Sequence, residues 1–93
     1  MKNEILKNIA KTIVDGLKDT QMQYEYAETA REMGDPQYAK AHIDEAMRRI
    51  NGVQEWWKHA DGLAGNDPMY AMLMEYYRDW CHKLRREIEE FKV

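Results

Sequence analysis

Residues 34–46 of the chain read GDPQYAKAHIDEA, and this stretch marks where one helix ends and the next begins. Asp35 suits an N-cap, because its carboxylate can accept hydrogen bonds from the first free N–H groups of a helix. Pro36 suits the first helical position, where its missing N–H loses no intrahelical bond. The pattern D-P-x-Y-A returns as DPMYA at 67–71. We therefore predict helices starting at Pro36 and Pro68, and we interpret the shared pattern as repeated capping chemistry, since different apolar spacings follow it.

After Pro36, apolar side chains alternate at spacings of four and three residues, which is typical of one buried helical stripe. The stripe consists of Ala39, Ile43, Ala46, Ile50, Val53, Trp57 and Ala60. It continues through Asn51-Gly52, a dipeptide that otherwise indicates a turn. A turn would normally break this register, so we predict one continuous helix from 36 to about 60, followed by the six-residue loop DGLAGN.

Two further helices are predicted around it. In the last segment one face carries Tyr70, Leu73, Tyr77, Trp80, Leu84, Ile88 and Phe91. We expect Leu73, Tyr77, Trp80 and Leu84 to face the stripe of the middle helix. In the first segment Leu6, Ile9, Ile13 and Leu17 share a face that Tyr24 and Ala27 continue.

The polar run KDTQMQ interrupts the first stripe, and Thr20 with Gln23 could form a capping box there. The first helix therefore either runs from about 3 to 33 or kinks or restarts near residues 16–20. We favour the single helix, because the heptad offset survives the interruption. β-branched residues are too sparse for strands. The predicted fold class is all-α, an up-down-up bundle of three long helices.

Composition limits the classes of function. The chain has 93 residues, of which 14 are basic and 17 acidic, giving a net charge of -3. The two signs are interspersed, without the basic patch typical of nucleic-acid binding. No segment approaches the roughly 20 apolar residues of a membrane span, and the charged N-terminus is unlike a signal peptide. Cys81 is the single cysteine, which favours a reducing compartment. We expect a cytoplasmic protein with a single domain over 1–93.

Residues 20–50 resemble a single tetratricopeptide-type helical hairpin. The Gly34-Asp35 turn is followed by Ala39 and Ala46, similar to the turn and the small positions of that repeat's second helix, and Tyr26-Ala27 stands at its large-small pair. The segment departs from the repeat at Ala30 and Asn51, where an aromatic residue and a proline are expected, and no second copy follows. The resemblance implies peptide or protein recognition.

Catalytic and metal chemistry have few candidates. A ferritin-like metal bundle needs Glu-x-x-His pairs pointing into its core, and the sequence offers only His42-x-x-Glu45, Glu55-x-x-x-His59 and Asp79-x-x-His82. Serine is absent, and Cys81 falls at the edge of a core stripe, as a small buried hydrophobe would. We predict no enzyme activity and no cofactor. A metal-binding bundle using His42, Glu45 and Glu28, or a small inhibitor or adaptor of a larger protein machine, remains an alternative.

His42 lies at the shoulder of the middle stripe, on the same edge as Arg49 and Trp56. These side chains could form a binding strip. In the other interpretation His42 makes one hydrogen bond at the core boundary, while the stem of Arg49 covers apolar surface.

The chain carries more aromatic and methionine side chains than three core stripes require. Such residues are enriched at protein interfaces, although they could also cover the rims of the core. We predict a protein-binding module that associates with itself, as a homodimer, or with a protein partner. The predicted binding residues are Met22, Tyr26, Met33, Tyr38, His42, Arg49, Trp56, Met72 and Tyr76.

Overall fold

A computed structural model describes residues 2–93, with side chains described from residue 4 onward. Three α-helices account for nearly all of it: α1 (Lys2–Glu32), α2 (Pro36–Ala64) and α3 (Pro68–Glu90). Residues 2–93 contain no strand. The bundle measures 49 × 19 × 14 Å, and α1 packs mainly against α2. The all-α three-helix prediction is confirmed, and α1 is continuous through residues 16–20.

Both predicted helix starts are confirmed. The Asp35 side chain accepts a hydrogen bond from the N–H of Tyr38 at 3.0 Å, and Asp67 accepts from Met69 at 2.9 Å. Gly34 has a φ of 78°, a left-handed conformation that glycine adopts without strain. The turn before α2 is therefore built as its sequence indicates.

The predicted six-residue loop is wrong. Residues 61–64 continue α2, and only residues 65–67 connect it to α3. Ala64 is buried and Leu63 packs partly against the core, so burial extends the stripe by one turn. This burial outweighs the helix cost of Gly62, about 1 kcal/mol relative to alanine.

The α1–α2 interface combines larger buried side chains such as Leu17 and Ile50 with several small ones. Ala27, Ala39, Ala46 and Ala60 are fully buried. A Cβ atom placed on Gly16 would lie 2.7 Å from Cγ2 of Val53, so the two helices approach closely at this point. Thr20 is buried, and its hydroxyl donates a hydrogen bond to the Gly16 carbonyl at 2.7 Å. The hydroxyl is therefore satisfied within α1, and Thr20 does not begin a new helix. The whole predicted stripe of α2 is buried.

The predicted face of α3 is partly wrong. Leu73 is 64% exposed, and Trp80 is only half-buried at the edge of the core. Met74 and Cys81 are buried instead. The core positions are Tyr70, Met74, Tyr77, Cys81, Leu84, Ile88 and Phe91, again spaced four and three. This register keeps Trp80 at the edge, where its indole N–H reaches the Gln21 side-chain oxygen at 3.3 Å.

Candidate functional site

One side of the α1–α2 pair is left uncovered by α3. Within the described residues, the side-chain hydrogen bonds from α3 to the other helices end on Gln21, Asn51, Gln54 and Asp61. The other flank of the pair presents two facing rows of side chains, which we call the open face. It comprises Thr12, Asp19, Gln23, Tyr26 and Met33 from α1, and Tyr38, His42, Glu45, Arg49 and Trp56 from α2.

His42 lies inside an aromatic cluster at one end of the open face. Its ring meets Tyr38 edge-on, with ring centroids 4.4 Å apart, and meets Tyr26 in the same way at 5.3 Å. Its Nδ1 lies 2.6 Å from Oε1 of Gln23. With that amide oxygen as acceptor, the imidazole carries its proton on Nδ1. The hydrogen bond joins α1 to α2 and orients the ring between the two tyrosines.

A shallow cavity adjoins this cluster at the α1–α2 turn. Its volume is about 330 Å³, and it is lined by Tyr26, Thr29, Ala30, Met33, Asp35 and Tyr38. Met33 is 79% exposed and Tyr38 56% exposed. Open apolar space beside exposed aromatic rings can accept a side chain from another molecule.

Charged side chains occupy the middle of the open face. Nη1 of Arg49 lies 3.6 Å from a carboxylate oxygen of Asp19 across the helix pair, and its Nε donates to Glu45 at 3.1 Å. Glu45 also pairs with Arg48 at 2.6 Å. Such exposed pairs stabilise a fold by only about 0–1 kcal/mol each. Their main effect is to fix where each sign of charge is presented.

Trp56 forms the far end of the open face. It is 45% exposed and borders a recess of about 200 Å³ that reaches Thr12, Gly16, Asp19 and Arg49. The structure therefore brings together six of the nine predicted binding residues on one face: Tyr26, Met33, Tyr38, His42, Arg49 and Trp56. Sequence reasoning missed Asp19 and Gln23, because the pairing of α1 with α2 decides which polar residues of α1 meet His42 and Arg49.

The other three predicted binding residues lie elsewhere. Met22 is exposed on α1, and no described contact joins it to the open face. Met72 and Tyr76 lie on α3 with two neighbours that the sequence reasoning missed. Together they form what we call the α3 stripe: Met69, Met72, Leu73 and Tyr76, each 64–71% exposed. Their i, i+3, i+4, i+7 spacing could have indicated this row from the sequence.

A larger cavity, about 510 Å³, lies between α2 and α3. Its charged walls are already paired, since Arg78 binds Asp61 at 2.8 Å and Lys58 binds Glu55 at 3.3 Å. Cys81 also lines it, and burial raises the pKa of its thiol. A thiol held protonated is a poor nucleophile, so this cavity does not supply an activated cysteine.

The alternative metal set is not assembled. His42 bonds Gln23, and Glu45 pairs with two arginines. Within the described residues, no group of three or more His, Cys, Asp or Glu side chains is placed to hold a metal ion. None of the described helices has both the length and the apolar character to cross a membrane.

Comparison of the chain with protein-family models, curated proteins and solved structures finds no match. The tetratricopeptide-type resemblance of residues 20–50 therefore stays a prediction.

Proposed function

We propose that this protein acts by binding protein and not by catalysis, and that it binds a second copy of itself. The observation that carries the proposal is the amount of large apolar side chain left exposed on two separate surfaces, the open face and the α3 stripe. Contiguous apolar patches beyond a few hundred Å² are rarely left bare on soluble monomers. Closed twofold dimers are the commonest way to cover them.

The residue types support the same proposal. Tyrosine, tryptophan and methionine are enriched at protein interfaces, where they bury large areas and adapt to the partner. Rim residues of a core are half-buried, as Trp80 is. Met33, Met72 and Tyr76, by contrast, are 67–79% exposed, which covering the rim does not explain. We also propose a cytoplasmic location, which the single free cysteine favours.

Light scattering after size exclusion, repeated over a range of concentrations, tests the proposal. We expect the mean mass to rise from one toward two copies as the concentration increases. A strict monomer at about 100 μM would contradict self-association, because a patch of this kind should pair at that concentration. Substituting both Tyr26→Glu and Tyr76→Glu should return the dimer to monomer with the helix content unchanged, since an interface opposes a buried charge.

A further inference from the structure

We infer that the open face is where the second copy docks, in a twofold dimer whose axis runs parallel to the helices, so that Asp19 of each copy meets Arg49 of the other. This inference rests on the proposed self-association and specifies its surface and symmetry. Three features of the open face carry it: its area, its charge pattern and the position of its aromatic ends.

Area favours the open face over the α3 stripe. From Thr12 to Met33 the open face is about 32 Å long at 1.5 Å per residue. Two helices spaced 8–10 Å apart make it about 18 Å wide, so about 600 Å² per copy can be covered. Two copies then bury about 1,200 Å², the lower bound of stable interfaces. The α3 stripe covers only about 10 Å of one helix, which is too short to hold a dimer by itself.

The charge pattern of the open face indicates the direction of the twofold axis. Asp19 and Arg49 lie side by side at the middle of the open face, 3.6 Å apart. If the twofold axis lay in the interface but perpendicular to the helices, Asp19 would face Asp19 of the other copy and Arg49 would face Arg49. Like charges would then oppose each other. An axis parallel to the helices sets Asp19 above Arg49, and the four side chains form a square of alternating sign. Like charges facing across an interface are strongly unfavourable, so the parallel axis is favoured.

The apolar ends fit the same symmetry. Tyr26 follows Asp19 by seven residues, and His42 precedes Arg49 by seven, so both lie about 10 Å from the centre, at the same end. With the axis parallel to the helices, the aromatic cluster of one copy meets the aromatic cluster of the other. At the opposite end each Trp56 lies above the part of α1 near Thr12 in the other copy, since Thr12 and Trp56 line the same recess. The rings of the aromatic cluster are thereby covered by rings, and the charges remain together at the centre.

Charge complementation tests the surface. Asp19→Arg and Arg49→Asp each place like charges at the centre, so each variant alone should lose at least about tenfold in dimer affinity. Mixing the two variants should restore the mass of the dimer, because opposite charges then face each other. Lys40→Asp is the matched control: Lys40 pairs with Asp44 at 3.0 Å on an exposed part of α2 outside the open face, and its reversal should leave the dimer intact. Circular dichroism checks that every variant is folded, and Arg49→Gln replaces any reversal that loses helix content.

Spin-label distances test the axis. In a Cys81→Ala background, a label at Glu32→Cys lies about 20 Å from the centre along α1. The parallel axis keeps the two labels at the same end, under about 25 Å apart, whereas the perpendicular axis separates them by about 40 Å. A distance near the longer value would overturn the inferred axis.

The outcomes separate the inference from the proposed function. A dimer that withstands both charge reversals but dissociates in the variant carrying Met72→Glu and Leu73→Glu would overturn the inferred surface and leave self-association standing. A wild-type chain that stays monomeric would overturn both. Loss of the dimer in either single charge variant, with recovery on mixing, is the result that we expect.

Discussion

Gly16 and Gly52 are both glycines inside helices, but the space around them differs. A Cβ atom on Gly52 would have nothing within 4 Å, whereas on Gly16 it would lie 2.7 Å from Cγ2 of Val53. Alanine is favoured over glycine in a helix by about 1 kcal/mol. Gly52→Ala should therefore stabilise the protein by up to about 1 kcal/mol, and the same gain is available to Gly16→Ala before any clash is counted.

The clash at Gly16 turns this stabilising effect of alanine into a destabilising one. Carbon atoms pack best at about 3.5–4.0 Å, so the helices or Val53 would have to move by about 1 Å. Val53 is buried and its β-branched side chain has one preferred rotamer in a helix, so it cannot turn away cheaply. Overpacking of this kind costs about 1–3 kcal/mol. We expect Gly16→Ala to lower the free energy of unfolding by about 0–2 kcal/mol. The free energy of unfolding of Gly16→Ala should then be about 1–3 kcal/mol lower than that of Gly52→Ala.

Urea unfolding followed by circular dichroism measures both variants, at one low protein concentration because association adds to apparent stability. A third comparison isolates the cause. In a Val53→Ala background the obstructing methyl groups are gone, so Gly16→Ala should become stabilising, and the change of sign is the coupling between the two sites. If Gly16→Ala stabilised the original chain as much as Gly52→Ala does, the close approach of α1 and α2 would be refuted.

Three further outcomes are expected. Ile50→Ala, at a fully buried site, should lower the free energy of unfolding by about 2–5 kcal/mol. Leu73→Ala should change it by less than about 0.5 kcal/mol. Equal losses would mean that Leu73 is buried in the core, as the sequence predicted. Replacing His42 by Gln should lower the free energy of unfolding by about 0.5–1.5 kcal/mol, the value of one hydrogen bond, with helix content retained. Burial, with the charge and hydrogen bond of Asp61, raises the pKa of Tyr70 to about 12, so its stabilising contribution should be complete below about pH 10 and lost between about pH 10 and 12. Ultraviolet titration of the original chain against Tyr70→Phe measures that pKa, and an ordinary value would contradict the Tyr70–Asp61 contact.

The contrast between α2 and α3 shows what the sequence could specify. In α2 the apolar spacing from Ala39 to Ala60 leaves mostly polar residues on the other faces, so only one register buries a continuous stripe. In α3 the segment MYAMLMEYY is apolar on most sides, and two registers one residue apart are both plausible. Contacts with α1 and α2 choose between them: they bury Met74 and Cys81 and leave Trp80 at the edge of the core.

The candidate site was predictable in part for a related reason. Surplus side chains such as Tyr38 and Trp56 could be found from the helical period of their own helix. Which residues of α1 face them depends on how the two helices are rotated about each other. That rotation depends on how the buried stripes of both helices pack together, with Gly16 close to Val53. A kink or restart near residues 16–20 is the alternative to the single helix that we favour from the sequence; the structure places Gly16 within a continuous α1, at a close helix contact.

The small residues of the core also decide what the open face can present. Because Ala27, Ala46 and Gly16 let α1 and α2 approach closely, side chains on the flank of the pair reach across it: His42 reaches Gln23 at 2.6 Å, and Arg49 comes within 3.6 Å of Asp19. Larger residues at these three positions would space the helices toward the upper end of the usual 8–10 Å range, and both cross-helix contacts would lengthen. The order of charges and rings on the surface is therefore a consequence of the core beneath it. A substitution that widens the α1–α2 interface should weaken self-association even though it changes no surface residue.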